Sequence, residues 1–411
     1  MRVYLDYAAT TPVASGVFEA MKPFFSDKFG NPMALYGFGA EARGEIEKAR
    51  AQIADFFDVL HEEIIFTSGA TESNNLAIKG IIKGMGPGSM PGMTSFIPHI
   101  VTTGYEHHCL LDSVKSLVKS GEVEATFLKP NREGIVEVEK VREAIKPNTV
   151  LVSVMYVNNE IGTINPLKEI GETIKKENLR RKEKAGVAKK EPLPIYFHSD
   201  ITQGVNYLPF SAKEFNVDLF SLSGHKIYGP KGVGVLGVKK GIKIKKIQDG
   251  GEQEFNLRAG THNVTGIVGL GTAIAQLKVP SKKSKVTEKV RDLRDYFWRK
   301  LQEEVKNISL NGSFEKRVAN NLNVSFKGVE GESLLMLLDM AGIACSTGSA
   351  CGSASLEPSH VLLAIGLKHP DAHGSLRFSL GEGNTKKEID YTVAEIKKAV
   401  EKLRKIAGKQ D

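Results

Sequence analysis

The sequence predicts an α/β protein with a large, mainly parallel sheet and a smaller α+β domain. Three observations carry this prediction. Short, nearly all-apolar strands alternate with helical segments through most of the chain; glycine turns stand where strands give way to helices; and after "RAGTHN" the pattern changes to long helices and separated strands.

The elements follow in order. "EEIIFTSGATESNNLAIKGII" reads as strand, glycine turn and helix, and "HIVTT" leads through a loop to the helical "LLDSVKSLVKSG". "EATFLK" precedes a helix at "VEVEKVREAI", and "TVLVSVMYV" precedes one at "PLKEIGETIKKE". "PIYFHSD" and "DLFSLSGHK" are further buried strands. Beyond "RAGTHN" come the amphipathic helix "TEKVRDLRDYFWRKLQEEV", strands "NLNVSF" and "SLRFSL", and a Lys/Glu-rich terminal helix. Residues 84–96, rich in Gly, Pro and Met, and 180–194, charged and then stopped by proline, read as inserted surface loops.

Composition narrows the function classes. The chain has 411 residues, 41% hydrophobic and 25% charged, enough for a large core. Its net charge of +8 comes from 56 basic and 48 acidic side chains mixed along the chain, without the interleaved aromatics of a nucleic-acid groove. Nucleic acid is therefore not an expected partner. The N-terminal "MRVYLDYAATTP" lacks an apolar signal core, and no apolar run approaches the ~20 residues that span a bilayer. Three cysteines, Cys109, Cys345 and Cys351, suit free thiols in a reducing compartment, so the expected location is cytoplasmic.

Ligands in open parallel sheets bind beyond the carboxyl ends of the strands, which directs attention to the loops there. "SGAT", residues 68–71, follows one strand and opens a helix, so it could cradle a phosphate or simply cap the helix. Asp200 closes one apolar strand and Lys226 the next. The two could form a structural ion pair, or a desolvated lysine could form a Schiff base while the carboxylate holds a pyridinium nitrogen. "GVGVLG" spells a dinucleotide fingerprint but alternates like a strand and leads into no helix, so it carries no nicotinamide or flavin site. "EHHC" spells possible metal ligands, yet consecutive residues at a strand end cannot all turn to one ion; no metal is expected.

From "YLDYAATTP" through "FTSGATESNN", "YEHH", "YVNNEIGTINP", "HSDITQ", "SGHKIYGPKGVG" and "LRAGTHN" to "STGSACGSASLEPSHVL" and "LRFSLG", the chain resembles the cysteine desulfurases, fold type I enzymes that use pyridoxal 5'-phosphate (PLP). The long loop around Cys351 is similar to the iron–sulfur type of that family. The resemblance implies a seven-stranded, mainly parallel sheet in a large PLP-binding domain, residues 16–261. Residues 1–15 and 262–411 would form a small domain carrying the cysteine loop. It implies conversion of L-cysteine to L-alanine, with sulfur passing to Cys351 as a persulfide and on to an iron–sulfur scaffold protein, or another acceptor such as the tRNA-thiolation pathway.

Carried over by position, the resemblance has Lys226 hold PLP, Asp200 pair with its ring nitrogen and His107 stack on the ring and transfer protons. Asn158 and Gln203 would bond near the ring hydroxyl, while Gly69, Ala70, Thr71, Ser223 and His225 would bind the phosphate. Thr261 would reach the neighbouring subunit's phosphate, implying a homodimer. Asn31 and Arg377 would hold the substrate carboxylate. Some positions depart from the family pattern: Met33, Ala34 and Tyr36 follow "GNP", Ile201 follows Asp200, and Cys109 stands where alanine is frequent. Cys345 reads as a small core residue, or as a disulfide or sulfur-sharing partner of Cys351. Two other readings stay open: a different fold type I PLP enzyme that does not use Cys351, and a non-catalytic scaffold.

Overall fold

The first of the parallel strands, His99–Thr103, illustrates why the sheet forms: all five of its residues are buried, as both faces of a sandwiched sheet require. The computed structural model describes residues 1–85, 96–187, 193–348 and 358–408. Seven strands lie in the order Ile64–Thr67, Gly234–Val238, Leu219–Ser223, Tyr196–Asp200, Thr149–Ser153, His99–Thr103 and Glu124–Leu128. Gly234–Val238 runs antiparallel to both its neighbours, and every other pairing is parallel. Glycine in that odd strand has a steric reason. A Cβ on Gly234 would come within 2.6 Å of the Gly69 Cα, so only a bare backbone passes beneath the 68–71 turn.

Parallel strands need crossovers, and helices supply them, as Ala70–Gly84, His108–Lys119 and Leu167–Val187 do here. The last extends further than the sequence reading, which placed a loop from residue 180. Arg181 explains the difference, because its guanidinium donates to the carbonyls of Thr149 and Leu193 and pins the helix to the sheet. Residues 86–95 and 188–192 of the two expected loops lie outside the described residues.

A second sheet has the order Ser375–Ser379, Asn321–Phe326, Ile308–Leu310, and Val3–Tyr4 pairs in parallel with Ile343–Ala344. Helices Pro280–Glu304 and Lys386–Ile406 pack against each other beside it. One apolar cluster runs from Val152 and Phe220 of the large sheet to Leu322 and Phe378 of the small one. Among the described residues, no helix is long and apolar enough to cross a membrane.

One buried ion pair fixes the segment leading to "RAGTHN". Arg50 grips Glu254 through two bonds of 2.8 and 2.9 Å, and Glu254 also accepts from the Phe66 N–H. Glu254, Phe255 and Asn256 all have positive φ, between 48° and 60°, a strained run for residues other than glycine. Burial alone would raise the Glu254 pKa, but the bonds from Arg50 and His262 outweigh it and hold it down to about 2. A depressed carboxylate contributes stability that is full above its usual 4.5 and lost as pH falls toward 2. Glu254→Gln should therefore cost about 3–5 kcal/mol in urea unfolding at neutral pH. The gap between variant and wild type should shrink as pH falls through that window.

Candidate active site

Five strand ends of the large sheet deliver polar groups to one cavity of about 560 Å³. Thr67 leads to Gly69, Thr103 to His107, Ser153 to Met155 and Asn159; Asp200 ends its own strand, and Ser223 leads into the 3-10 turn Gly224–Lys226. Lys226 thus sits one short turn beyond its strand rather than at its last residue. From outside the sheet come Ala8 and Ala9, His360 and Arg377. An equally large cleft opens at the opposite ends of the strands, where Lys239 pairs with Asp218 at 3.0 Å. The convergence of buried polar groups places the site in the first cavity.

Each group is held in place. Asp200 accepts from Asn74 Nδ2 at 2.8 Å and from the Thr202 N–H at 3.0 Å. The Lys226 ammonium donates to the carbonyls of Ala8 and Ala9 at 2.6 and 2.5 Å, and Gln203 donates to Ala8 at 3.0 Å. His107 caps the helix His108–Lys119, accepting from the Cys109 N–H. Burial lowers the pKa of His107, against the opposing pull of the Asp200 charge. Burial, with the Lys226 and Lys231 charges, lowers His225 to about 4, so its ring is neutral at physiological pH. Burial pushes Glu106 up to about 8, although its carboxyl accepts from the Met155 N–H and Thr103 hydroxyl.

Arg377, on the middle of the strand Ser375–Ser379, donates to Asp6 at 2.8 Å and to the carbonyls of Asn159 and Gly348 at 2.9 and 3.1 Å. Its Nε is buried without a hydrogen-bond partner, which leaves donor capacity beside the cavity. Burial raises the Asp6 pKa despite the neighbouring guanidinium.

The cavity gathers Gly69, Ala70, Thr71, His107, Asp200, Gln203, Ser223, His225, Lys226 and Arg377 from the sequence reading. Asn158 is a correction. Its side chain donates to the Tyr105 carbonyl and accepts from the Glu160 and Ile161 N–H groups, so it holds the loop's own backbone. Its neighbour Asn159 lines the cavity instead, with a buried Oδ1 that has no partner. The fold of the turn after the strand decides this, and "NN" gave no signal which residue would point inward. Asn31 is exposed, its Oδ1 accepts from the Met33 N–H, and it does not line the cavity of the single chain. Thr261 is exposed and also outside the lining. Cys351 lies outside the described residues. Cys345 packs against the main core, and burial raises its thiol pKa well above the usual value. Within "EHHC", Glu106 turns to Thr103 and His108 is half-exposed near Asp112, while His107 and Cys109 meet each other.

With the geometry in place, kinship can be weighed. The Aminotransferase class-V family model matches residues 3–392. The chain is 46% identical over 405 residues to the cysteine desulfurase IscS of Dictyoglomus turgidum, covering 98% of this chain and 96% of that one. It is 44% identical to the cysteine desulfurase IscS of Methanosarcina thermophila, covering 98% and 93%. The chain belongs to the cysteine desulfurases of the class-V aminotransferase family. Among solved structures, a NifS-like protein superposes with a TM-score of 0.85 at 34% identity, covering 97% of this chain and 99% of that one. A structure of SspA in complex with cysteine gives 0.76 at 35% identity, covering 93% and 100%.

Class-V enzymes of this kind use PLP, and the residues present fit it. The 68–71 turn has no side chain at Gly69 and leads into the helix Ala70–Gly84, whose first N–H groups lack intrahelical partners, as a phosphate site needs. Asp200, Lys226, His107 and the unpartnered Asn159 Oδ1 supply a carboxylate, an amine, a flat ring and a spare acceptor. Exchanging each asparagine separates their roles. Asn159→Ala should loosen PLP by roughly tenfold, the worth of one hydrogen bond, and leave the melting transition near wild type. Asn158→Ala should cost about 1–3 kcal/mol of stability by orphaning three backbone groups. PLP titration by absorbance and urea unfolding measure the two effects.

Proposed function

We propose that this chain is a PLP-dependent cysteine desulfurase that releases L-alanine from L-cysteine and carries the sulfur away as a persulfide on Cys351. The observation that carries the reading is the meeting of Lys226, Asp200, His107 and Arg377 in one cavity at the carboxyl ends of the parallel strands. Bound there, PLP supplies an electron sink for charge developing at the substrate α-carbon. The chain's own groups do the rest. Lys226 would anchor the cofactor, and Asp200 would favour a protonated ring nitrogen. Arg377 holds the substrate carboxylate with a planar fork that lysine cannot reproduce. His107 places a proton close to the reacting atoms.

Cys351 fits as the sulfur acceptor because the described residues on either side of its segment reach the cavity wall. Gly348 accepts from Arg377, and the Ser359 hydroxyl donates to Glu160, which lines the cavity. The Cys351 thiolate attacks the substrate sulfur and the C–S bond breaks; the carbon keeps that bond's electron pair, takes up a proton and leaves as alanine, and the new S–S bond makes the persulfide. An iron–sulfur scaffold protein, or another sulfur acceptor, would then collect it in the cytoplasm.

A homodimer is part of the proposal. Phe18, Phe25, Phe29, Leu35, Tyr36 and Phe38 are exposed within one short stretch, with Leu35 96% accessible, more apolar surface than a monomer usually leaves in water. A second copy covering this face would also account for the exposed Thr261. Leu35→Glu should shift the mass measured by light scattering from dimer toward monomer.

The direct test is alanine release from L-cysteine with a reductant present, by wild type and Cys351→Ala side by side. Alanine from the wild type alone supports the reading, and equal release from both would remove Cys351 from it. Arg377→Lys should lower kcat/KM for L-cysteine by roughly 10²-fold, through the loss of a bidentate charge-assisted contact.

A further inference from the structure

Cys109 belongs to a line of hydrogen bonds inside the cavity that the chemistry above does not use. Its Sγ lies 3.1 Å from Asn74 Nδ2 and 3.0 Å from His107 Nδ1, and Asn74 Nδ2 is also 2.8 Å from Asp200 Oδ2. The direction of each bond follows from what each atom can do. A carboxylate oxygen only accepts, so Asn74 must turn its NH₂ group, not its oxygen, toward Asp200. The second hydrogen of that NH₂ group then points at Cys109, and the sulfur accepts it. Thr71 also reaches this sulfur and favours negative charge on it, as a donor does. The S–H proton is left for His107 Nδ1, which accepts the Cys109 backbone N–H as well, at 3.2 Å. A ring nitrogen that receives two donors carries no proton of its own, so the neutral imidazole keeps its proton on Nε2.

We propose that Cys109 is a positioning residue that couples His107 to Asp200 through Asn74 and holds the His107 ring in the tautomer protonated at Nε2. His107 then enters the reaction as a donor through Nε2, and Nδ1 is closed to proton uptake. Burial and the Asp200 charge push the Cys109 thiol up to about 12, so it remains an S–H donor throughout the working pH range. The charges facing His107 are those of Asp200, Lys226, His108 and His360, and none of them selects between its two nitrogens in this way. The meaning of this tautomer for catalysis rests on the desulfurase reading, but the tautomer itself does not.

The test uses holoenzyme labelled with ¹⁵N in its histidine rings, with the His107 signals assigned by their loss in His107→Gln. In the wild type, the Nδ1 shift should be that of an unprotonated nitrogen and the Nε2 shift that of a protonated one. A donor on Nδ1 stabilises the neutral ring, so its removal raises the ring pKa. In Cys109→Ala the pKa should rise by about 0.5–1 unit and the tautomers should begin to mix. Cys109→Ser, which keeps a hydroxyl donor, should return close to wild type. The acid limb of alanine release should move upward in Cys109→Ala and recover in Cys109→Ser. A proton on Nδ1 in the wild type, or Cys109→Ala spectra identical to it, would overturn the proposal. Absence of alanine release by the wild type would instead sink the desulfurase reading, and the ring shifts would still decide the tautomer.

Discussion

The guanidinium of Arg377 joins parts of the chain that are far apart in sequence. It sits on a fully buried strand of the small sheet, where an unpaired charge would be prohibitively costly. Its partners come from three other segments: the Asp6 carboxylate, the Asn159 carbonyl after a central strand of the large sheet, and the Gly348 carbonyl beside the cysteine segment. The bonds that keep the charge in the interior therefore tie the cavity wall at Asn159 to the N-terminal segment and to the residues before the cysteine segment. The same group that would recognise a carboxylate also holds the two sheets in register around it.

The Arg50–Glu254 pair works by the same physics at the far side of the large sheet. Both partners are almost fully buried, and the Glu254 carboxylate is satisfied by Arg50, His262 and the Phe66 N–H together. This concentration of donors holds three consecutive residues in the left-handed region, next to the segment that ends in the exposed Thr261. Strain there is sustained by charge, whereas at Gly234 crowding is relieved by the absence of a side chain.

Much of this was legible in the chain before folding was considered. Strands such as "HIVTT" are apolar throughout, and helices such as Lys386–Ile406 begin with a capping box at Thr385 and Glu388, so local pattern and local energetics agree. Asp200 and Lys226 stood out because a polar residue ending an apolar strand calls for a reason. Asn158 and Asn159 could not be told apart in this way, because identical neighbours differ only in the direction their side chains take once the loop is folded. Asn31 sits on an exposed turn that its own Oδ1 helps to close, a local contact that its motif did not announce. The helix past residue 180 depended on Arg181 finding carbonyls of Thr149 and Leu193, contacts to a strand and a loop that local propensity does not contain.

By itself, the sequence determined the alternation of strands and helices, the mainly parallel sheet, and the residue types that lysine and carboxylate chemistry at strand ends requires. These follow from side-chain polarity and periodicity, which are properties of neighbouring residues. Tertiary structure alone decided that Ala8 and Ala9 face Lys226, that Asp6 pairs with Arg377, and that Cys109 lies between Asn74 and His107. Hydrogen bonds reach only about 3 Å, so which groups share one is settled when distant segments pack together.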